Sequence, residues 1–292
     1  MYHVLRVAYT MCPGYLLRRK HGGSCPVGGG SLRDTLRVRE GEPPAGRGPE
    51  GGGIELLSKQ SKPMRPGISA QVQLSGKVDT SFAVGAYDID GFDNGAAVVD
   101  RVHARDAKAI CYISAGSWEK WRPDASDFPD SVKGRSNGWP GEKWLDIRRL
   151  DVLRPIMAKR MDMCAAKGFD AVDPDNVDGY ANKTGFKLTA ADQLDYNRML
   201  ARMAHGRGLL VGLKNDTDQV RALVPNFDFA VVEQCFRYTE CGRYSPFVAA
   251  GKAVLAIEYS TKNMETKCTR ARKLRFSLIF KKMDLGAWRR AC

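Results

Sequence analysis

The sequence has no run of 18 apolar residues, so no segment is long and apolar enough to cross a bilayer as a helix. None of its eight cysteines forms a C-x-x-C pair, which excludes the usual spacing of a structural zinc site or a thioredoxin-type motif. Histidine is scarce, four in 292 residues, and none follows an apolar run of strand type. No G-x-G-x-x-G follows the first strand-like run and no G-x-S-x-G occurs, so neither a dinucleotide fold nor a serine-hydrolase elbow is indicated. Met1 to Lys20 lacks the order of a signal peptide, since its short apolar stretch is broken by Arg6 and by Met11-Cys12-Pro13.

What is present is positive charge, a formal +13, and its placement matters more than its sum. Residues 1–70 hold 11 Lys and Arg against 5 acidic residues, residues 261–292 hold 10 against 2, and the body between them is balanced at 25 against 26. A nucleic-acid binder concentrates cations on its folded binding face, so no nucleic-acid partner is expected. Cys235 and Cys241 are close enough in sequence to suit a disulfide, whereas Cys111 lies inside an apolar strand pattern and reads as a buried thiol.

From His21 to about Gly53 the chain is rich in Gly, Pro, Arg and Glu, and cannot bury enough apolar area to offset its ordering entropy. Residues 1–69 are therefore expected to be a disordered or a mispredicted extension, with order starting near Ala70 at the alternating Gln71-Val-Gln-Leu74. Beyond it, eight apolar runs recur, at 83–87, 109–113, 143–145, 169–172, 209–213, 227–232, 253–257 and 276–280. Helical periodicity separates most of them, at 96–105, 148–167, 190–205 and 217–223, with shorter pieces near 246–250 and 269–273; Gly168 and Gly206 mark helix ends. Repeated strand and helix units over some 220 residues predict a single (β/α)8 TIM barrel spanning 70–292, in which the chemistry belongs at the C-terminal strand ends.

Those ends carry Asp88 and Asp90, Ser114 to Glu119, Asp146, Asp173-Pro-Asp175-Asn176, Lys214-Asn215-Asp216, Glu233-Gln234 and Glu258-Tyr259. Carboxylates crowded on one rim repel one another unless a cation or a proton sits among them. Two chemistries use such a rim, metal-assisted hydrolysis and glycoside hydrolysis by paired carboxyl groups. The stretch from Asp173 to Thr184 fails as a calcium loop, because Val177 takes the fifth place, Gly179 comes one residue late and Thr184 stands where Glu is needed. No metal and no cofactor are expected, and a carboxylate pair remains. Trp118, Trp121, Trp139, Trp144 and Tyr112 lie on or beside the second and third loops, where aromatic faces suit sugar rings or ordinary loop packing.

The phrases Tyr87-Asp-Ile-Asp90, Ile110-Cys-Tyr-Ile-Ser-Ala-Gly-Ser-Trp-Glu119, Gly138-Trp-Pro-Gly141, Trp144-Leu-Asp-Ile-Arg148, Gly168-Phe-Asp-Ala-Val-Asp-Pro-Asp-Asn-Val-Asp-Gly-Tyr180, Gly212-Leu-Lys-Asn215 and Glu233-Gln-Cys-Phe236 together resemble glycoside hydrolase family 114, the endo-α-1,4-polygalactosaminidases. The resemblance implies a TIM barrel, an extracellular enzyme and hydrolysis within α-1,4-linked galactosamine polymers, with Asp175 and Glu233 as the catalytic residues. Asp88, Asp90, Tyr112, Ser114, Trp118, Asp173, Asn176, Asp178, Lys214, Asn215 and Glu258 are then expected to contact substrate or tune the pair. The implied substrate is a cationic amino-sugar polysaccharide, which an acidic mouth on a near-neutral body would attract, and the enzyme is expected to act as a monomer. Retention, with Asp175 as nucleophile, and inversion differ in carboxyl separation, which sequence does not reveal. A barrel glycosidase on another polysaccharide and a non-catalytic carbohydrate binder are the alternatives.

Overall fold

The computed structural model describes residues 62–292. The extension expected to lack structure lies outside the described residues up to position 61, as do Cys12 and Cys25. In chain order the strands are β1 (Ala70–Gln73), β2 (Ala86–Asp90), β3 (Lys108–Ser114), β4 (Ser117–Glu119), β5 (Lys133–Ser136), β6 (Glu142–Leu145), β7 (Ala171–Asp175), β8 (Leu210–Lys214), β9 (Phe229–Glu233), β10 (Ala253–Glu258), β11 (Ser277–Lys281) and β12 (Arg289–Ala291). The helices are α1 (Ala96–His103), α2 (Leu150–Ala166), α3 (Ala190–His205), α4 (Val220–Leu223), α5 (Ser245–Ala249) and α6 (Met264–Leu274).

Strands β1, β2, β3, β7, β8, β9, β10 and β11 lie side by side in that order, all parallel, and β12 returns antiparallel along β11. They form a nearly closed TIM barrel. Side chains and loop backbone stitch the seam between β11 and β1: Lys281 Nζ donates to Gln71 Oε1 at 3.2 Å, Gln71 Nε2 to the Ala287 carbonyl at 2.8 Å, and Leu74 N to the Leu285 carbonyl at 2.9 Å. At the opposite end from the strand-end carboxylates, Met64 is buried in the interior and its carbonyl accepts from Ala253 N at 3.1 Å.

One expected barrel strand is elsewhere. The run at 143–145 is β6, the centre of a separate antiparallel sheet, β4-β6-β5, inserted between β3 and α2. An apolar three-residue run pairs equally well in either sheet, and only the Ser117–Trp144 register assigns it. The missing barrel strand is Ala70–Gln73.

Alternation along each strand builds two cores. Ala86, Ile110, Ala171, Phe229, Val231, Leu255, Ile257 and Ile279 fill the barrel interior, while Tyr87, Ile89, Cys111, Val172, Val211, Leu213, Ala230 and Val232 face the helices. A fully buried aliphatic or Phe side chain contributes about 1.5–3 kcal/mol, so both layers resist a register slip that would exchange them. Helix α3 starts with a capping box: Thr189 N donates to Asp192 Oδ2 at 2.7 Å and Asp192 N to Thr189 Oγ1 at 3.1 Å. Gly168 ends α2 in the left-handed region (φ 82), whereas after α3 that role falls to Gly208 (φ 73), since Gly206 stays right-handed at φ −62.

Three disulfides cross-link the described residues: Cys111–Cys164, Cys235–Cys241 and Cys268–Cys292. The first corrects the expectation of a free thiol at Cys111. Its outward place on β3 sets it against the buried Cys164 of α2, a partner 53 residues away that no local spacing reveals. No helix among the described residues is long and apolar enough to cross a membrane.

Candidate active site

The strand alternation selects which rim residues enter the barrel. On β7 Ala171 is interior, so Asp173 and Asp175 are too; on β8 the same parity brings in Lys214, and on β9 Glu233. Asp175, Lys214 and Glu233 are each the last residue of their strand, and each is followed by a residue in the left-handed region: Asn176 (φ 63), Asn215 (φ 50) and Gln234 (φ 60). Such a conformation costs a non-glycine residue on the order of 1 kcal/mol, least for Asn, and it ends the strand sharply at the charged side chain. Local bonds hold two of these turns. Glu233 N donates to Asn215 Oδ1 at 3.0 Å, and Asn176 Nδ2 donates to Ser114 Oγ at 3.0 Å and Ser117 Oγ at 3.2 Å.

Asp175 Oδ1 accepts from Lys214 Nζ at 2.9 Å and from Asn176 N at 2.7 Å, and its Oδ2 accepts from the Tyr112 hydroxyl at 2.7 Å. Burial alone would raise its pKa, but the Lys214 charge and these three donors outweigh it and hold the carboxyl below its ordinary value. Lys214 also contacts Glu233 Oε2 at 3.3 Å, and the Tyr259 hydroxyl donates to Glu233 Oε1. Burial disfavours the Lys214 ammonium, yet the charges of Asp175, Glu233 and Asp173 raise its pKa well above the ordinary lysine value. One buried cation on β8 thus clamps two carboxylates from the strands on either side of it, β7 and β9.

Beneath this cluster lie Asp88 and Asp173, each 1% exposed and in side-chain contact. Three of their four oxygens have no hydrogen-bond donor. Two buried carboxylates side by side cannot both stay ionised cheaply, and burial together with Asp175 pushes Asp173 up to about 7, while burial and Asp173 push Asp88 up well above the ordinary range. A proton held between them relieves that repulsion. In the next loops burial and the Asp175 charge push Asp178 up to about 6, and burial and Asp178 push Asp216 up to about 8.

Of the residues expected at the site, the structure gathers Asp88, Tyr112, Asp173, Asp175, Asp178, Lys214 and Glu233 around the barrel mouth. The polar groups of the others bond within the scaffold. Asp90 takes a bidentate pair from Arg122 at 2.9 and 2.7 Å, and that guanidinium also bonds Glu119. Ser114 is buried against Ser117, and Trp118 donates its indole N–H to the Ala125 carbonyl at 3.0 Å. Asn176 and Asn215 shape the turns already described. Glu258 faces outward from β10, accepting from Phe236 N at 3.0 Å and Lys267 Nζ at 2.7 Å, and so anchors the turn after Glu233. Asp146 is paired with Arg148 beside the small sheet.

Tyr259 is the neighbour of Glu233 that residue type alone overlooks. Ile257 is interior, so alternation turns Glu258 out and Tyr259 back toward the interior, where it packs. Trp121 and Tyr238, 41% and 39% exposed, stand on the loops after β4 and β9.

Gly116 sits where a loop crosses the Asp175 turn, its N–H donating to the Asp175 carbonyl at 3.0 Å. An added Cβ would lie 1.7 Å from the Asn176 carbonyl oxygen, an impossible contact with backbone. Gly116→Ala is therefore expected to cost about 2 kcal/mol or more and most of the activity, by displacing Asp175. A melting curve and a rate measurement on that variant would check this; a wild-type rate would refute the close approach.

The family model for glycoside-hydrolase family GH114 matches residues 54–292. Ega3 of Aspergillus fumigatus, solved in complex with galactosamine, superposes with a TM-score of 0.76 at 39% identity, covering 82% of this chain and 100% of that one. The glycoside hydrolase domain of PelA from Pseudomonas aeruginosa shares the fold, with a TM-score of 0.59 at 14% identity over 75% of this chain and 96% of its own. The Thermus thermophilus α-galactosidase TtGalA shares it more distantly, with a TM-score of 0.51 at 13% identity over 75% of this chain and 59% of that one. No curated protein sequence matches.

Proposed function

The chain belongs to glycoside-hydrolase family GH114, and on that premise we propose that it cleaves internal α-1,4 bonds of a galactosamine polysaccharide, with Asp175 as nucleophile and Glu233 as acid and base. The likeness to Ega3, solved with galactosamine, supports an amino-sugar substrate, and the acidic mouth supplies the physical reason. Ammonium groups along a deacetylated polymer are drawn to carboxylates and lessen their mutual repulsion. Trp121 and Tyr238 offer exposed aromatic faces for sugars on either side of the cut. We assign the catalytic unit to residues 70–292, with Met64 closing its floor, and place the enzyme outside the cell, where the three disulfides of the described residues persist.

The observation that carries this reading is the shared ammonium. Contacts of 2.9 Å to Asp175 Oδ1 and 3.3 Å to Glu233 Oε2 keep those oxygens no more than about 6 Å apart, below the roughly 6.5–9.5 Å that admits an inverting water and compatible with the roughly 5–5.5 Å of retaining enzymes. Lys214 lies closer to Asp175 and holds its pKa below the ordinary value, which favours the ionised form for attack. Glu233 donates its proton to the leaving oxygen as Asp175 bonds the anomeric carbon. The Glu233 carboxylate then takes a proton from water, that water displaces Asp175, and the sugar leaves with its original α configuration. Tyr112 and Lys214 hold the Asp175 charge in line, and Tyr259 orients Glu233.

Partially deacetylated α-1,4-galactosamine polymer, digested inside a proton NMR tube, tests this. The α anomer is expected to appear first and mutarotate later. A β anomer first would mean inversion and remove the nucleophile assignment; a folded enzyme that binds the polymer without releasing product would leave a carbohydrate-binding protein.

A further inference from the structure

A chain of buried hydrogen bonds joins the turn after Asp175 to the small sheet. Asn176 Nδ2 donates to the hydroxyls of Ser114 and Ser117, which lie 2.7 Å apart, and Ser117 Oγ donates to Glu142 Oε2 at 3.0 Å. Glu142 opens β6, is 6% exposed and stands directly across from Glu119 of β4. Carboxylates facing one another across a strand pair repel, and burying one costs more than burying an apolar side chain of its size. Arg122 takes up Glu119, while Glu142 turns to its diagonal neighbour Ser117 and to Asn137, whose Nδ2 donates to the same Oε2 at 2.7 Å. Sheet stability by itself gives no reason for a carboxylate here; the hydroxyl chain does.

Proton counting gives that chain a direction. A serine hydroxyl has one proton to donate, and Ser117 gives its own to Glu142. Ser114 is therefore the donor toward the Ser117 oxygens, and both hydroxyls present lone pairs to the Asn176 side chain. Only the NH2 end of that amide fits against two acceptors. The side chain so fixed belongs to a residue held at φ 63, whose own N–H donates to Asp175 Oδ1 at 2.7 Å. We propose that Glu142 is a positioning residue for Asp175, ordering through Ser117, Ser114 and Asn176 the turn that aims the Asp175 carboxylate at the anomeric carbon. This rests on the reading of Asp175 as nucleophile given above. What the chain needs from Glu142 is an acceptor oxygen. A glutamine supplies one to both donors, whereas a leucine keeps the volume and loses both bonds.

Position has an electrostatic signature here. Asp175 faces Lys214 from β8, Tyr112 from β3, Glu233 from β9, Asp88 from β2, Asp173 on its own strand and Asp178 in the loop beyond. Burial raises its pKa, and Lys214, Tyr112 and the Asn176 N–H together bring it below the ordinary value. A loosened Asn176 turn withdraws one of these donors, so the Asp175 pKa moves up and the rate begins to fall at a higher pH on the acid side. A purely structural role for Glu142 would lower the melting temperature and leave that acid limb in place.

The test measures cleavage of deacetylated α-1,4-galactosamine polymer by the full chain carrying Glu142→Leu, Glu142→Gln, Ser117→Ala, or Glu142→Leu and Ser117→Ala together. Glu142→Leu is expected to lower kcat about 10- to 100-fold with KM held within about threefold, and to move the acid limb of kcat/KM upward. Glu142→Gln is expected to restore most of kcat and the wild-type limb. Ser117→Ala is expected to lower kcat in the same way, and adding Glu142→Leu to it to cost little more, because links of one chain are not additive. Wild-type kcat in a folded Glu142→Leu or Ser117→Ala, Glu142→Gln no better than Glu142→Leu, or additive losses in the double variant would each overturn the proposal. Where Glu142→Leu does not fold, the kcat and acid limb of Ser117→Ala decide. Carbon-13 NMR of the aspartate carboxyls, assigned with Asp175→Asn, reads the Asp175 titration without turnover. A wild type that cleaves the polymer, with an Asp175 titration unmoved in Ser117→Ala, would overturn this inference alone. An upward shift in Ser117→Ala beside a wild type that releases no product would overturn the hydrolase reading alone.

Discussion

Glu233→Gln and Asp175→Asn are each expected to stop polymer cleavage while leaving the barrel folded and the polymer bound. For Glu233→Gln the loss should be about 10²–10⁴-fold, the usual worth of a positioned acid and base. Asp175→Asn should cost on the order of 10⁴-fold or more, because without the carboxylate no covalent intermediate forms. The two are separable by the leaving group. An aryl galactosaminide with an acidic phenol departs without protonation, so Glu233→Gln should recover its first step on that substrate and show a burst of phenol. Asp175→Asn should show none. Added azide should then replace water in the Glu233→Gln intermediate and yield an α-glycosyl azide. Full activity in either variant, or a burst in Asp175→Asn, would remove that residue from the role.

Lys214→Met is expected to destabilise the fold by about 3–5 kcal/mol at pH 8 and by clearly less at pH 5, besides abolishing turnover. Lys214 is 4% exposed and is the cation that offsets the burial of Asp175. In wild type the Asp175 pKa is lowered, so its contribution to stability is present above the ordinary value of 3.8 and is lost as pH falls through the depressed one. Without the ammonium only the Tyr112 hydroxyl and the Asn176 N–H oppose burial, and the Asp175 pKa is expected to rise. Its contribution then takes the opposite sign, present at acid pH and lost as pH climbs. The remaining raised acids already behave that way in wild type. Asp178 at about 6, Asp173 at about 7 and Asp216 at about 8 favour the fold fully below pH 3.8 and lose that contribution as pH rises through those values. Wild type should therefore melt lower at pH 8 than at pH 5, and Lys214→Met should widen the gap. Scanning fluorimetry at the two pH values decides it; an equal drop in melting temperature at both would show that Lys214 is not the electrostatic keystone of the mouth.

How far the site was legible can be traced residue by residue. Asp175 and Glu233 stood out because each closes an apolar run and lies in a phrase resembling a family. Asp88 and Asp90 are two residues apart on the same strand face and cannot be told apart by type or parity. Arg122, 32 residues further on and folded back by the small sheet, takes Asp90 into a buried ion pair and leaves Asp88 to Asp173. Glu258 drew attention as a carboxylate, although strict alternation from Ile257 points to Tyr259. The run at 143–145 shows the complementary limit, since a strand's pattern says that it pairs but not with which sheet.

By itself the sequence determined the elements, the two faces of each strand and the side chains at the strand ends, because these depend on local stereochemistry and on a periodicity of two or 3.6 residues. Tertiary structure alone decided which strands share the barrel, that Cys111 meets Cys164, and that one ammonium lies between Asp175 and Glu233. Protonation belongs to the second class as well. An aspartate in isolation is an anion at neutral pH, and only burial against another carboxylate, as Asp88 is against Asp173, pushes its pKa well above the ordinary range.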